Sequence, residues 1–308
     1  MQNERVLQLI ENIEKVIFGK TETVKLLIVG LLTNGHILIE DIPGVGKTML
    51  VLALAKSINA EFTRIQFTPD LLPSDITGGF VYNAKTGEFE LKKGPLFTNI
   101  LLADEVNRTT PRTQSALLEA MQETKVSLDG KTFPLPQPFM VVATQNPLEY
   151  QGTYPLPEAQ IDRFFMQLHM GYLSTSEEVR VISKQKIRHP VELVEPVLGL
   201  NDVLTLQEAV KKIEVSRNVL EYIVNLVSAT RNREDIQLGA SPRASITLMK
   251  ASSAWALIEG RDYVIPDDVM HLAPWVLKHR LTLHSKATIA GKIPETIIAD
   301  IVKSIPIP

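Results

Sequence analysis

The 308-residue chain contains no cysteine. That absence excludes disulfide staples, thiolate metal sites and thiol nucleophiles together, and it fits a reducing compartment. A surplus of charge is missing too. With 32 basic and 35 acidic side chains the net charge is −3, so no global field draws the chain to nucleic acid or to an anionic membrane. Long apolar runs are also absent. The most apolar region, residues 26–39, is broken by Gly30, Asn34, Gly35 and His36, which leaves nothing able to span a bilayer. Residues 1–20 mix charges with Val6, Leu9, Ile10, Ile13, Val16 and Ile17 at helical spacing, unlike the unbroken stretch of a signal peptide. The sequence reads as a soluble, cytoplasmic chain with no membrane insertion. Its histidines (His36, His169, His189, His271, His279 and His284) show no metal-ligand spacing with acids, and no internal repeat is visible.

What is present has an order. Apolar content of 44% is enough for a sizeable core. Short apolar runs at residues 36–40, 63–67, 99–104, 139–144 and 165–170 alternate with helical patterns such as 48–58 and 113–123. Runs this continuously apolar, separated by helices, predict a parallel five-stranded sheet covered on both faces. Beyond residue 198 the strand signals stop, and helices are expected at 205–212, 217–231, 242–259, 266–279 and 294–304. Ser241 is positioned to cap one of these with Pro242 at its first turn, and Gly260 ends it. The expected division is an α/β domain over 1–198 and a smaller all-helical domain over 199–308. Two insertions read as β-hairpins. One covers 125–136 around Asp129-Gly130, the other 80–91 with its turn near 83–87. Each is either a solvated surface hairpin or a working loop.

Glu40-Asp41-Ile42-Pro43-Gly44-Val45-Gly46-Lys47-Thr48 follows a strand and opens a helix. Gly44 and Gly46 let successive N–H groups curl inward around phosphate oxygens, and the helix N-terminus adds its dipole. Lys47 supplies a point charge to β- and γ-phosphates, and Thr48 a hydroxyl to Mg2+. The usual pattern begins with glycine where this chain has Asp41, whose carboxylate is expected to turn away from the phosphates. Residues 99–105 form an apolar strand ending in Asp104 and Glu105. After a phosphate loop, Asp104 reads as a Mg2+ ligand and Glu105 as the group that polarises the attacking water. The competing reading is a helix-capping pair.

These motifs continue in a recognisable order. Asp104-Glu105-Val106-Asn107-Arg108 and residues 115–123 precede Ala143-Thr144-Gln145-Asn146-Pro147, followed by residues 156–164 with Asp162-Arg163-Phe164 and by Gly239-Ala240-Ser241-Pro242-Arg243-Ala244. The chain resembles the MoxR family of AAA+ ATPases over nearly its whole length, Asp41 included. The resemblance implies ATP and Mg2+ as ligands. It implies nucleotide contacts from Phe18, Gly19, Pro43, Gly44, Val45, Gly46, Lys47, Thr48 and Met49, with Thr48 and Asp104 at the metal and Glu105 catalytic. Asn146 takes the sensor 1 place, against the alternative of a strand terminator. Arg163 takes the arginine-finger place, acting on a neighbour's γ-phosphate, against a salt bridge to Asp162 or Glu158. Arg243 takes the sensor 2 place, in cis or in trans. Arg108 reads equally as an intersubunit contact or a helix-end ion pair. The resemblance further implies a homo-oligomeric, hexameric ring with both hairpins facing its pore. Its clients would be proteins or metalloenzyme complexes, some reached through von Willebrand A-domain partners. A metal-chelatase-type motor and a nucleic-acid ring motor are the alternatives. Little charge at the hairpin tips, Lys85 and Lys131, argues against nucleic acid.

Overall fold

A computed structural model of the chain describes residues 2–147, 152–185 and 190–308; His189 lies outside them. Two helices lead the chain, α1 (Gln2–Glu14) and α2 (Thr21–Leu32). The apolar residues of α1 recur at helical spacing and are buried as Val6, Leu9, Ile10 and Ile13. In α2 the apolar residues run all round the helix, so it is enclosed, with Leu26, Leu27, Ile28 and Val29 fully covered. Next come β1 (Ile37–Glu40), α3 (Lys47–Ser57), β2 (Phe62–Gln66) and α4 (Pro73–Thr77). The first hairpin, β3 (Gly78–Asn83) and β4 (Glu88–Lys93), leads to β5 (Ile100–Asp104) and α5 (Pro111–Glu123). The second, β6 (Lys125–Leu128) and β7 (Lys131–Pro134), leads to β8 (Met140–Gln145), α6 (Glu158–Ile161), β9 (Met166–Leu168) and α7 (Thr175–Gln185).

The central sheet has the expected five strands, in the order β2-β5-β8-β1-β9, all parallel. All pairings are parallel, so every connection between sheet strands is a crossover, and the central strands β5, β8 and β1 are buried except at their last residues. Both hairpins are present. Asp129 and Gly130 both take positive φ, 45° and 76°, as a tight two-residue turn requires. The hairpins touch each other through Phe80 and Phe133, whose ring centres are 6.3 Å apart.

The C-terminal part is built from α8 (Leu200–Val210), α9 (Arg217–Ala229), α10 (Pro242–Ile258), α11 (Pro266–Leu277), α12 (Ser285–Ile289) and α13 (Pro294–Ser304). It is helical as the sequence indicates, with one short addition. An antiparallel ribbon joins β10 (Ile236–Leu238) to β11 (Thr282–Leu283). Strands of two and three residues carry no periodicity, and the sequence reading passed over them. Ser241 takes the N-cap position of α10 with Pro242 at the first helical place, but its hydroxyl makes no capping bond. It donates instead to Asp162 Oδ2 at 3.2 Å, across to the α/β part. Trp255 is buried, whereas Trp275 is only partly covered. One continuous apolar cluster runs from the sheet through α1, α2 and α3 into α8–α11, since α1 and α2 both pack on α10.

His36, just before β1, is enclosed within this framework. Its Nδ1 accepts from Val141 N–H at 3.0 Å and its Nε2–H donates to the Met121 carbonyl at 2.8 Å, so both ring nitrogens are satisfied only in the neutral form. Burial pushes its pKa from 6.5 down to about 4, partly offset by the Met121 carbonyl. Because the folded value lies below the unfolded one, stability is complete above about pH 6.5 and is lost as pH falls toward 4. At pH 5 the loss comes to about 2 kcal/mol. Urea unfolding at pH 7 and pH 5 should show this extra loss in the parent and not in His36→Asn. Equal pH slopes would mean that the imidazole is not held neutral.

Candidate active site

Because the strands are parallel, their C-terminal ends share one edge of the sheet. The phosphate loop leaves β1 there, Asp104 and Glu105 end β5, and Asn146 follows β8, which lies between them. Register makes the row explicit: Gln66 pairs with Asp104, and Ile39 pairs with Thr144. Gly44 and Gly46 have φ of 85° and 94°, so the loop depends on glycine at both places. Lys47 Nζ donates to the carbonyls of Asp41 at 2.7 Å and Ile42 at 3.2 Å. Burial lowers its pKa, and Asp41, Asp104 and Glu105 work the other way, so its ammonium lies within the field of all three acids.

Asp41 is buried and turned away from the loop interior. One carboxylate oxygen accepts from Ile42 N–H at 2.8 Å, the other from Met170 N–H at 2.6 Å and Gly171 N–H at 2.7 Å. His169 Nδ1 lies 3.3 Å from the second oxygen. Hydrogen bonds to a charged acceptor contribute about 1.5–3 kcal/mol each, which explains how a carboxylate is accommodated where glycine is usual. Asp41 thereby ties the start of the loop to the segment that follows β9.

The paired acids are fixed from several sides. The Thr144 hydroxyl donates to Asp104 Oδ1 and accepts from Glu105 N–H at 2.9 Å, linking both acids to β8. Arg64 reaches the other Asp104 oxygen at 2.7 Å. Gln66 and Arg108 hold Glu105 Oε2 at 2.6 and 2.8 Å. Arg108 therefore makes an ion pair within its own chain. Glu105 has φ of 57°, a left-handed conformation that costs a non-glycine residue on the order of 1 kcal/mol or more and aims its side chain out of the strand line. Thr144, Arg64 and Gln66 escaped the sequence reading. For the last two the signal was available: polar residues two apart on a strand share a face, here beside β5.

Beside the loop lies a cavity of about 450 Å3, of a size and apolar lining suited to a nucleotide base and sugar. Of the residues named from the sequence, Phe18, Pro43, Gly44, Val45, Gly46 and Met49 line it, joined by Met170, Gly171, Tyr172 and Leu173, which the sequence reading did not name. Gly19 is adjacent and does not line it. Its φ is 66°, and a side chain there would collide with Glu177. Arg180 from α7 lies over the Phe18 ring, 5.2 Å from its centre. Among the described residues no group of three or more histidines or acids could hold a metal by itself. Thr48 and Asp104 offer an oxygen-only set, which suits Mg2+ arriving with phosphates and keeping most of its waters.

Two expected site residues are elsewhere. Arg163 and Arg243 share a cavity of about 230 Å3 with Gly35, His36, Lys250 and Arg280. This is the opposite edge of the sheet, where β1 and β9 begin: Phe165 N–H donates to the His36 carbonyl at 2.7 Å. The six residues from His36 to Asp41, five steps of strand rise, alone span roughly 16 Å. Arg163 is exposed and makes no ion pair among the described residues, to Asp162 or to Glu158. Arg243 is 3.8 Å from Asp162. From the same lid, Lys278 lies instead on the phosphate-loop side, near Glu40 and Asp41.

Comparison with known proteins agrees with this geometry. Residues 36–166 match the AAA ATPase family associated with various cellular activities, and residues 228–301 match the AAA lid domain. The chain is 55% identical to the Bacillus subtilis protein YeaC over 97% of this chain and 93% of the relative. It is 43% identical to Chaperone MoxR1 of Mycobacterium tuberculosis over 96% of this chain and 80% of that one. The crystal structure of a putative ATPase from Cytophaga hutchinsonii superposes with a TM-score of 0.94 at 42% identity, covering all of this chain and 96% of the other.

The Asp41 contacts generate a test. Asp41→Ala strands three backbone donors, so a stability loss of about 2–4 kcal/mol is expected in chemical denaturation, together with weaker nucleotide binding. Asp41→Gly, although it restores the usual loop sequence, should lose as much. A change within about 0.5 kcal/mol, the range of an ordinary surface substitution, would mean that the carboxylate does not hold the loop.

Proposed function

The chain belongs to the MoxR family of AAA+ ATPases, and on that premise we propose that it hydrolyses ATP in a ring of identical copies in which each active site takes two arginines from the neighbouring copy. The observation that carries this reading is the separation just described. The phosphate loop, Asp104, Glu105 and Asn146 gather at one edge of the sheet, while Arg163 and Arg243 stand together at the other. A side chain does not bridge that distance, so both arginines serve a second subunit's nucleotide.

In this reading the backbone of the loop and Lys47 bind the β- and γ-phosphates, and Phe18 and Met49 enclose the base. Thr48 and Asp104 would hold one Mg2+ ion, which supplies charge neutralisation on the phosphoryl group when bound. Glu105 orients and polarises the attacking water, and Asn146 positions it from the end of the adjacent strand. Arg163 and Arg243 from the neighbour spread positive charge over the equatorial oxygens, where a planar fork is better suited than an ammonium. The clients we propose are proteins. Support comes from the chaperone among the relatives and from the first hairpin, whose exposed Glu88 and Glu90 intersperse with Lys85, Lys92 and Lys93 and leave no continuous basic track for a phosphate backbone.

The assignment is tested by Glu105→Gln, which should bind ATP while turnover falls on the order of a hundredfold or more. Parent-rate hydrolysis would remove Glu105 from the role. The same variant, tagged, should retain client proteins in ATP-bound rings, and DNA should not stimulate the parent's turnover. Arg163→Ala and Lys47→Ala should each be nearly inactive, the former by roughly 10³–10⁵. Mixed together they should recover partial activity, because a Lys47→Ala subunit still offers its arginine to an intact loop next door. No recovery in verified mixed rings would place Arg163 in cis.

A further inference from the structure

The side chain of Arg280, which follows α11, is only 2% exposed and points at the segment that carries Arg163. Its Nε–H donates to Asp162 Oδ1 at 2.8 Å. One terminal nitrogen donates to the Phe164 carbonyl at 2.6 Å and the Asp162 carbonyl at 3.3 Å. The other donates to the Phe165 carbonyl at 3.3 Å and back to the Val276 carbonyl. These acceptors flank Arg163 on both sides. The second oxygen of Asp162 accepts from Ser241 Oγ at 3.2 Å and faces Arg243 at 3.8 Å. Both lid elements on this side, the start of α10 and the turn after α11, therefore converge on the residue next to Arg163.

Enclosing a guanidinium is costly. Burial lowers the Arg280 pKa to about 10, with Asp162 opposing the shift, so the group stays charged at neutral pH. An apolar side chain would dock a lid at least as stably, so the ion pair is better explained by the geometry it fixes than by the stability it adds. Five N–H groups in a rigid plane define the position and the orientation of the loop they bind; a lysine at this place would define neither.

We propose that Arg280 is a positioning residue for catalysis in the neighbouring subunit: acting through Asp162 and the carbonyls of the same loop, it sets where Arg163 stands. This rests on the reading that Arg163 acts in trans. A shift of the lid, which also carries Lys278 beside its own phosphate loop, is then passed to the next active site through the Arg280 contacts. The Arg280→Met subunit should keep its own nucleotide site and present a misplaced arginine to its neighbour.

The experiment is a set of mixed rings, with Lys47→Ala plus Arg163→Ala as the control for trans action. Alone, Arg280→Met should bind a fluorescent ATP analogue within about twofold of the parent, with unchanged KM and kcat lowered on the order of a hundredfold, less than the full loss of the arginine. Mixed with Lys47→Ala it should regain activity, because that partner supplies a well-placed Arg163 to its intact loop. Mixed with Arg163→Ala it should not, because neither partner supplies one. The reverse pattern, rescue by Arg163→Ala and none by Lys47→Ala, would put the defect in Arg280's own site and overturn the proposal. Parent kcat or a loss of ATP binding in Arg280→Met would also overturn it. If that variant fails to fold by circular dichroism, Asp162→Asn, which keeps the volume and removes the charge, is read in the same mixtures with the same expectations. A failed control mixture refutes trans action itself; a successful control with the wrong Arg280 pattern refutes only the positioning role.

Discussion

The common direction of the five strands organises everything else in this chain. A parallel sheet has two unlike edges, and ligands are bound where strands end and helices begin, because backbone N–H groups and helix dipoles point there. The phosphate loop, the paired acids and Asn146 therefore collect at one edge without any further device. The same direction sends Arg163, which precedes β9, to the opposite edge. No rearrangement of loops brings it back past the length of the strands. The proposed dependence on a second copy thus rests on strand polarity together with the position of one arginine in the sequence.

Energetic magnitudes separate the parts of the site that are fixed from those that can exchange partners. Asp41 is buried and accepts three backbone hydrogen bonds, so its place is set by several kcal/mol. The Arg64–Asp104 and Arg108–Glu105 pairs differ in kind. Their arginine side chains are 48% and 44% exposed, and pairs of that sort contribute about 0–1 kcal/mol. A nucleotide and cation, as proposed, would meet only weak competition at Asp104, whereas Asp41 is held in place. Thr144 stays with the fixed part, since a single hydroxyl serves Asp104 and the Glu105 backbone together.

Most of the fold was legible because its signals are local. Continuous apolar runs marked each strand of the sheet, Asp129-Gly130 marked a hairpin turn, and Pro242 and Pro266 marked helix starts. The phosphate loop and the two acids were legible for the same reason: their chemistry is concentrated in consecutive residues. What escaped depends on pairing between distant segments. Nothing beside Gln66 announces Glu105, nothing around Met170 and Tyr172 announces the cavity beside the phosphate loop, and Ser241 looks like an ordinary cap until Asp162 is placed against it. The β10–β11 ribbon escaped because its strands are shorter than any period that could reveal them.

Packing of the helical part restricts how it can act. Its apolar residues are continuous with those of α1, α2 and the sheet, so it does not have a separate core that could swing freely. Close-packed interiors pass small displacements on instead of absorbing them. The polar contacts at its rim are where such displacements are felt: Lys278 faces the phosphate loop, and Arg280, two residues on, grips the loop of Arg163. Between them His279, buried and held well below its ordinary pKa by burial and by the Arg280 charge, also points Nε2 at the Phe164 carbonyl, 3.2 Å away. Three consecutive side chains thus connect the two edges of the sheet that the strand direction had separated.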